Sequence, residues 1–144
     1  FVRVPVTYRP SLRALARLYY TLVALGRVDV GGHADVHHEV YDSLWRLGGT
    51  LTGSDDQDTL KLQAAFAKEF GIDPEEFSKA YHSPVVEANV ARADELVQTY
   101  RIDGTPMLVV NGKYKTHVGM AGGEGRLMNL LTDLSIQEHT AAKK

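Results

Sequence analysis

Asp103-Gly104-Thr105-Pro106-Met107-Leu108-Val109-Val110-Asn111-Gly112-Lys113-Tyr114 is the stretch on which the fold turns. Met107 to Val110 is a short, continuously apolar run between turn residues, and it reads as a strand buried on both faces. Asn111-Gly112 is a strong hairpin signal, because a type I′ turn needs positive φ at both central positions. Lys113 to Val118 then returns as the partner strand. Taken by itself, Thr105-Pro106 reads as an ordinary trans proline opening a strand, since cis occurs in only about 5–6% of X-Pro bonds.

Beyond the hairpin, Gly119 to Gly125 reads as a loop. A final helix follows, with Leu127, Leu130, Leu131 and Leu134 inward, and frays into the polar tail Thr140–Lys144. Upstream the pattern is helical. Ser11 is a candidate N-cap for a helix whose stripe is Leu12, Leu15, Leu18, Leu22 and Leu25, ended by Gly26. His33 to Leu47 repeats Val36, Val40, Leu44 and Leu47 on one side. A third helix runs from about Gln57 to Phe70, after a turn rich in cap residues. Asp73-Pro74-Glu75-Glu76 starts a fourth near-ideally, with Asp73 as cap, Pro74 at the first helical position and Glu76 placed for a capping box. That helix ends near His82. Ser83-Pro84 opens a fifth, with Val86, Val90, Ala93, Leu96 or Val97, and Tyr100 inward. At the start, Phe1-Val2-Arg3-Val4-Pro5-Val6-Thr7-Tyr8 alternates at period two and reads as a strand, with Pro5 favouring a free edge. A chain that opens inside a strand reads as the later part of a longer protein.

Composition narrows the function. The 144 residues fit one domain of ordinary hydrophobic content. Sixteen basic against eighteen acidic residues leave a net charge of −2, without the basic footprint of a nucleic-acid binder. No apolar run is long enough to span a membrane. Without a single cysteine there is no disulfide, no thiolate metal site and no thiol nucleophile in these residues. His33 and His37 stand at i, i+4 beside His38 and Glu39, a spacing that zinc can use, but no third ligand is evident and a solvated helix face is the simpler reading. Asp55, Asp56 and Asp58 read as helix-start charges, not a calcium loop. Gly122-Gly123-Glu124-Gly125 does not match a phosphate-binding fingerprint. No metal and no cofactor is expected.

Taken together, the order of motifs resembles the DsbA family of thiol:disulfide oxidoreductases. Four features carry the resemblance: the opening Val4-Pro5-Val6-Thr7-Tyr8, the helical stretch from Ser11 to about Arg101, Gly104-Thr105-Pro106 run straight into an apolar strand, and Asn111-Gly112-Lys113-Tyr114 with Gly119-Met120 and a closing amphipathic helix. It covers essentially the whole chain. It implies an α/β, thioredoxin-like fold with an inserted all-helical domain, incomplete at the N-terminus, where the first strand and the CXXC helix are absent. The implied division is 1–10 and 102–144 for the thioredoxin-like domain and 11–101 for the insertion. In that fold the absent strand is central, between 1–8 and 107–110. Buried unpaired backbone groups cost on the order of 1–3 kcal/mol each. The 144 residues are therefore not expected to complete the native sheet alone.

The resemblance also implies a function. Thiol–disulfide exchange needs an attacking thiolate and a leaving sulfur, which the family supplies from Cys-X-X-C, here expected upstream of Phe1. The chain as given has no catalytic residue of its own and is expected to be inactive. It supplies the substrate-docking surface. With the resemblance, Pro106 reads as the family's cis-proline, whose neighbour Thr105 offers backbone groups to an extended substrate. Met120 matches a groove position, where a flexible thioether suits varied substrates; it reads equally as an anchor for the last helix. Arg3 falls where the family can bury a cation, although a solvated strand residue is the simpler reading. The implied partners are unfolded exported proteins and a DsbB-type membrane reoxidant, for a periplasmic monomer. Thr105, in place of the valine common in some branches, also occurs in related isomerases, while the continuous helical insertion and the lack of a dimerisation domain favour an oxidase that introduces disulfides into exported proteins. A glutathione transferase or isomerase of the kappa type, built on the same scaffold without the cysteine pair, is the alternative enzyme. A non-catalytic peptide-binding module is the third reading.

Overall fold

The structure is a computed structural model and describes residues 2–28, 36–45 and 50–142. It divides into two units, residues 1–96 and 97–144.

The first unit is helical. Its first helix, α1 (Pro10–Ala24), starts one residue before the expected cap. Arg9 occupies the cap position without a side-chain bond, and Pro10 sits at the first helical position, where a missing N–H costs nothing. Ser11 is thus inside the helix. The helix closes as the Leu stripe predicts, with Gly26 N–H on the Val23 carbonyl at 3.0 Å and Arg27 N–H on the Leu22 carbonyl at 2.8 Å. The next two helices are α2 (Val36–Trp45) and α3 (Asp56–Glu69). His33 and Leu47, the expected ends of α2, lie outside the described residues. Asp55 caps α3 through a 2.8 Å bond from Asp58 N–H, and Asp56 and Asp58 fill the acidic first turn. In α4 (Pro74–Tyr81) the Asp73 carboxylate accepts from both Glu75 and Glu76 N–H, at 2.9 and 3.0 Å. In α5 (Pro84–Thr99) the Ser83 hydroxyl accepts from Val86 N–H at 3.3 Å.

The core of this unit is where α1 to α4 meet. Leu18, Leu22, Val36, Val40, Leu51, Ala67, Ile72, Phe77 and Tyr81 form one buried cluster. The α5 stripe of Val86, Val90, Ala93 and Val97 is buried as the spacing predicts. Charge pairs fasten the helices outside the core. Arg13 pairs with Asp94, and Arg17 reaches Glu87 Oε2 at 2.5 Å while lying over the Tyr81 ring. Gln63 is fully buried, and its amide nitrogen donates to the Ala14 and Leu51 carbonyls at 3.2 and 3.0 Å.

Residues 2–8 form no strand, which corrects the period-two reading. A strand exists by pairing, and the sheet among the described residues contains only β1 (Leu108–Val110) and β2 (Tyr114–Thr116), antiparallel. Only Thr7 is buried there, while Val2 and Val4 are exposed. β1 is half-buried along its length, not covered on both faces. With one edge unpaired among the described residues, the continuous apolar run lacks the neighbour that such a pattern anticipates.

The second unit also departs from the expected loop. Its returning strand stops at Thr116, and Gly119–Gly125 is largely helical: α6 (Val118–Ala121) is followed by α7 (Glu124–Ala141). Of the leucine stripe on α7, Leu127 is buried, Leu131 and Leu134 are half-buried and Leu130 is exposed. A stripe is fully buried only where something packs on its whole width, and β1 alone is narrow.

Candidate functional site: the cis-proline loop

The hairpin positions the loop. Val110 accepts from Lys113 N–H at 3.0 Å across Asn111-Gly112, whose φ angles are 49° and 71°, the positive pair that a type I′ turn requires. The turn sets the register Leu108↔Thr116, Val109↔Lys115, Val110↔Tyr114. Beyond the paired residues, Met107 and Pro106 precede β1, and His117 and Val118 follow β2. A cleft of about 280 Å³ lies there, lined by Gly104, Thr105, Pro106, Met107, His117 and Val118.

The Thr105–Pro106 peptide bond is cis. Thr105 and Pro106 are exposed, and the Thr105 N–H donates to no other described residue and its carbonyl accepts from none. Met120 is two residues beyond Val118 on α6, 63% exposed, and does not line the cleft. The structure therefore brings Thr105 and Pro106 together and sets Met120 outside them. Arg3 is exposed.

Sequence reasoning missed His117, which it placed in the returning strand. His117 caps α6: its Nδ1 accepts from Gly119 N–H at 3.1 Å. The signal was present, since the residue stands between the last alternating strand position and a Val-Gly-Met-Ala turn. Histidine is simply not among the usual cap residues.

The far end of the hairpin is held by charge. Glu138 Oε2 accepts from Asn111 Nδ2 at 2.5 Å and from Lys113 Nζ at 2.6 Å. Those bonds, Lys113 first, hold the Glu138 carboxyl below the usual glutamate range, and the bond to Glu138 raises the Lys113 ammonium. Lys115 Nζ meanwhile donates to the Arg101 carbonyl at 3.0 Å, just past the end of α5, where Arg101 itself has φ 49°.

The histidine spacing singled out for zinc resolves differently. His37 lies edge-on between Tyr19 and Tyr41, with ring centroids 5.0 and 5.1 Å away, and His33 is outside the described residues. Among the described residues, no group of three or more His, Asp or Glu is placed to hold a metal. No helix among them is long and apolar enough to cross a membrane.

A cis-proline loop leading into an antiparallel hairpin and a closing helix, with five further helices before it among the described residues, defines a thioredoxin-like protein with a helical domain. Comparison with known proteins narrows the class. Residues 1–135 match the DSBA-like thioredoxin domain, and the chain belongs to that family. It is 30% identical over 143 residues to the thiol:disulfide interchange protein DsbA of Pseudomonas syringae pv. tomato, covering 99% of this chain and 62% of that protein. The crystal structure of Pseudomonas aeruginosa DsbA superposes with a TM-score of 0.82 at 30% identity, covering all of this chain and 69% of that one. A Proteus mirabilis DsbA variant, solved with the non-covalently bound peptide PWATCDS, shares the fold at 19% identity and a TM-score of 0.73, over 91% of this chain and 67% of that one. The chain spans 62% of the length of the curated relative from Pseudomonas syringae.

Proposed function

We propose that these residues are the substrate-docking part of a DsbA-like thiol:disulfide oxidoreductase that introduces disulfides into exported, unfolded proteins. Residues 1–10 and 102–144 belong to its thioredoxin-like domain, and 11–101 form the inserted helical domain. Thr105 and Pro106 dock the substrate, with Met120 on the adjoining surface. The attacking and leaving sulfurs come from a Cys-X-X-C outside these 144 residues, because exchange needs both and the sequence has neither. The intact protein works as a periplasmic monomer, reoxidised by a DsbB-type membrane protein.

The observation that carries this reading is the exposed Thr105, which lines the cleft and whose backbone groups bond no other described residue. An extended peptide gains main-chain hydrogen bonds by pairing there as an added strand. The heptapeptide bound by the Proteus relative supports a ligand of this kind. The exposure of Met120 supports docking over anchoring.

The test is titration of the ¹⁵N-labelled chain, dilute enough to remain monomeric, with PWATCDS. With no cysteine in the chain, every contact is non-covalent. The expected result is amide shift changes confined to Gly104, Thr105, Met107, His117 and Val118. Saturable binding elsewhere, or none at millimolar peptide, overturns the reading. In parallel the chain alone should neither oxidise a dithiol peptide nor reduce insulin.

A further inference from the structure

We propose that His117 is a positioning residue for the docked peptide, donating a hydrogen bond from Nε2 to one of its backbone carbonyls. The proposal rests on the reading that an extended peptide docks at Thr105.

The argument starts from the cap. Nδ1 of His117 accepts from Gly119 N–H, so in the neutral ring Nδ1 carries no proton and Nε2 does. The ring sets its Cε1–Nδ1 edge against Gly119, close enough that a Cβ there would stand 2.9 Å from Cε1. Nε2, bonded to Cε1 and distinct from the capping nitrogen, keeps its N–H outside the cap bond. His117 lines the cleft with Thr105 and Pro106, and no described residue accepts a bond from Nε2. It is half-buried, so a ligand in the cleft can reach it.

Residue choice points the same way. A cap needs one short acceptor, and Asn, Asp or Ser supplies that better than His. Only histidine caps with one ring nitrogen and keeps a donor on the other. Along an extended peptide, carbonyls recur on each edge at alternate residues. A strand paired with Thr105 and running on through the cleft thus brings a carbonyl to His117 whatever its side chains. The occupant is an extended polypeptide recognised by its main chain, which suits a protein with many unfolded substrates.

The experiment uses the full chain, PWATCDS as probe and a pH near 8. Long-range ¹H–¹⁵N spectra of wild type should show the His117 proton on Nε2, and peptide should move the Nε2 resonance. His117→Asn keeps a side-chain acceptor for Gly119 N–H but has no ring donor. It should melt with wild type and bind peptide about five- to ten-fold more weakly, as the loss of one net hydrogen bond implies. A proton found on Nδ1, or an Nε2 resonance indifferent to bound peptide, overturns the inference without reference to any variant. Binding by His117→Asn within two-fold of wild type also overturns it and leaves the docking reading standing. A wild-type chain that binds no peptide removes both.

Discussion

Lys113 Nζ lies 2.6 Å from Glu138 Oε2, which ties the tip of the β1–β2 hairpin to the last turns of α7. Asn111, the first turn residue, donates to the same oxygen. Because the bonds lower the Glu138 pKa in the folded chain, their stabilisation is present above the ordinary glutamate range and is lost as pH falls through the lowered value. The raised Lys113 pKa works in the other direction. Its share is present below the ordinary lysine range and is lost as pH rises through the raised value. Amide exchange at Lys113 and Tyr114 should therefore be slow across neutral pH, after correction for intrinsic rates. In Glu138→Gln it should speed several-fold at pH 7 and lose its acid dependence. Equal acid dependence in the variant would place the sensitive group elsewhere.

Gly112 has φ 71°, and a Cβ there would stand 3.1 Å from the Tyr100 hydroxyl. Gly112→Ala should cost about 1–2 kcal/mol, the penalty of a left-handed backbone for an L side chain. Urea denaturation followed through the hairpin amides measures it. A neutral outcome would mean that the turn relaxes to another type.

Phe77 is fully buried at the centre of the helical core. Phe77→Ala should lose about 3–5 kcal/mol. On the scale of single-domain stability, such a loss is a large fraction of the total. Circular dichroism at 222 nm in urea reads it directly.

Asp73 accepts from two N–H groups of α4. Asp73→Ala should cost about 1 kcal/mol and Asp73→Asn only part of that, since Asn still accepts. The same urea series compares them.

Tyr20 on α1 is pushed up to about 12, first by burial and then by its neighbour Tyr19. A folded-state pKa above the unfolded value means that stability falls as pH rises from about 10 towards 12. Burial also raises Tyr81, so absorbance titration at 295 nm should show late-ionising tyrosine, and Tyr20→Phe should remove the Tyr20 part of it.

Local chemistry was the legible part. The turn at Asn111-Gly112, the caps at Asp55 and Asp73 and the inward stripe of α5 all follow from residue type and spacing, because each depends on neighbours a few residues away. The errors arose where a partner decides the outcome. Residues 2–8 alternate like a strand, yet alternation does not pair them. The leucines of α7 promise a wide apolar contact, yet Leu130 is exposed. At the site, Thr105-Pro106 needed the family resemblance to be read at all, while His117 escaped because its ring does the work of a shorter side chain.

The edge of β1 that is unpaired among the described residues has a practical consequence. Leu108-Val109-Val110 is uncharged and without proline, and it offers a row of unspent main-chain groups beside half-buried apolar side chains. Such an edge is a template for pairing between molecules. Handled by itself at high concentration, the 144-residue chain should self-associate through this strand, and a lysine in place of Val109 should keep it monodisperse.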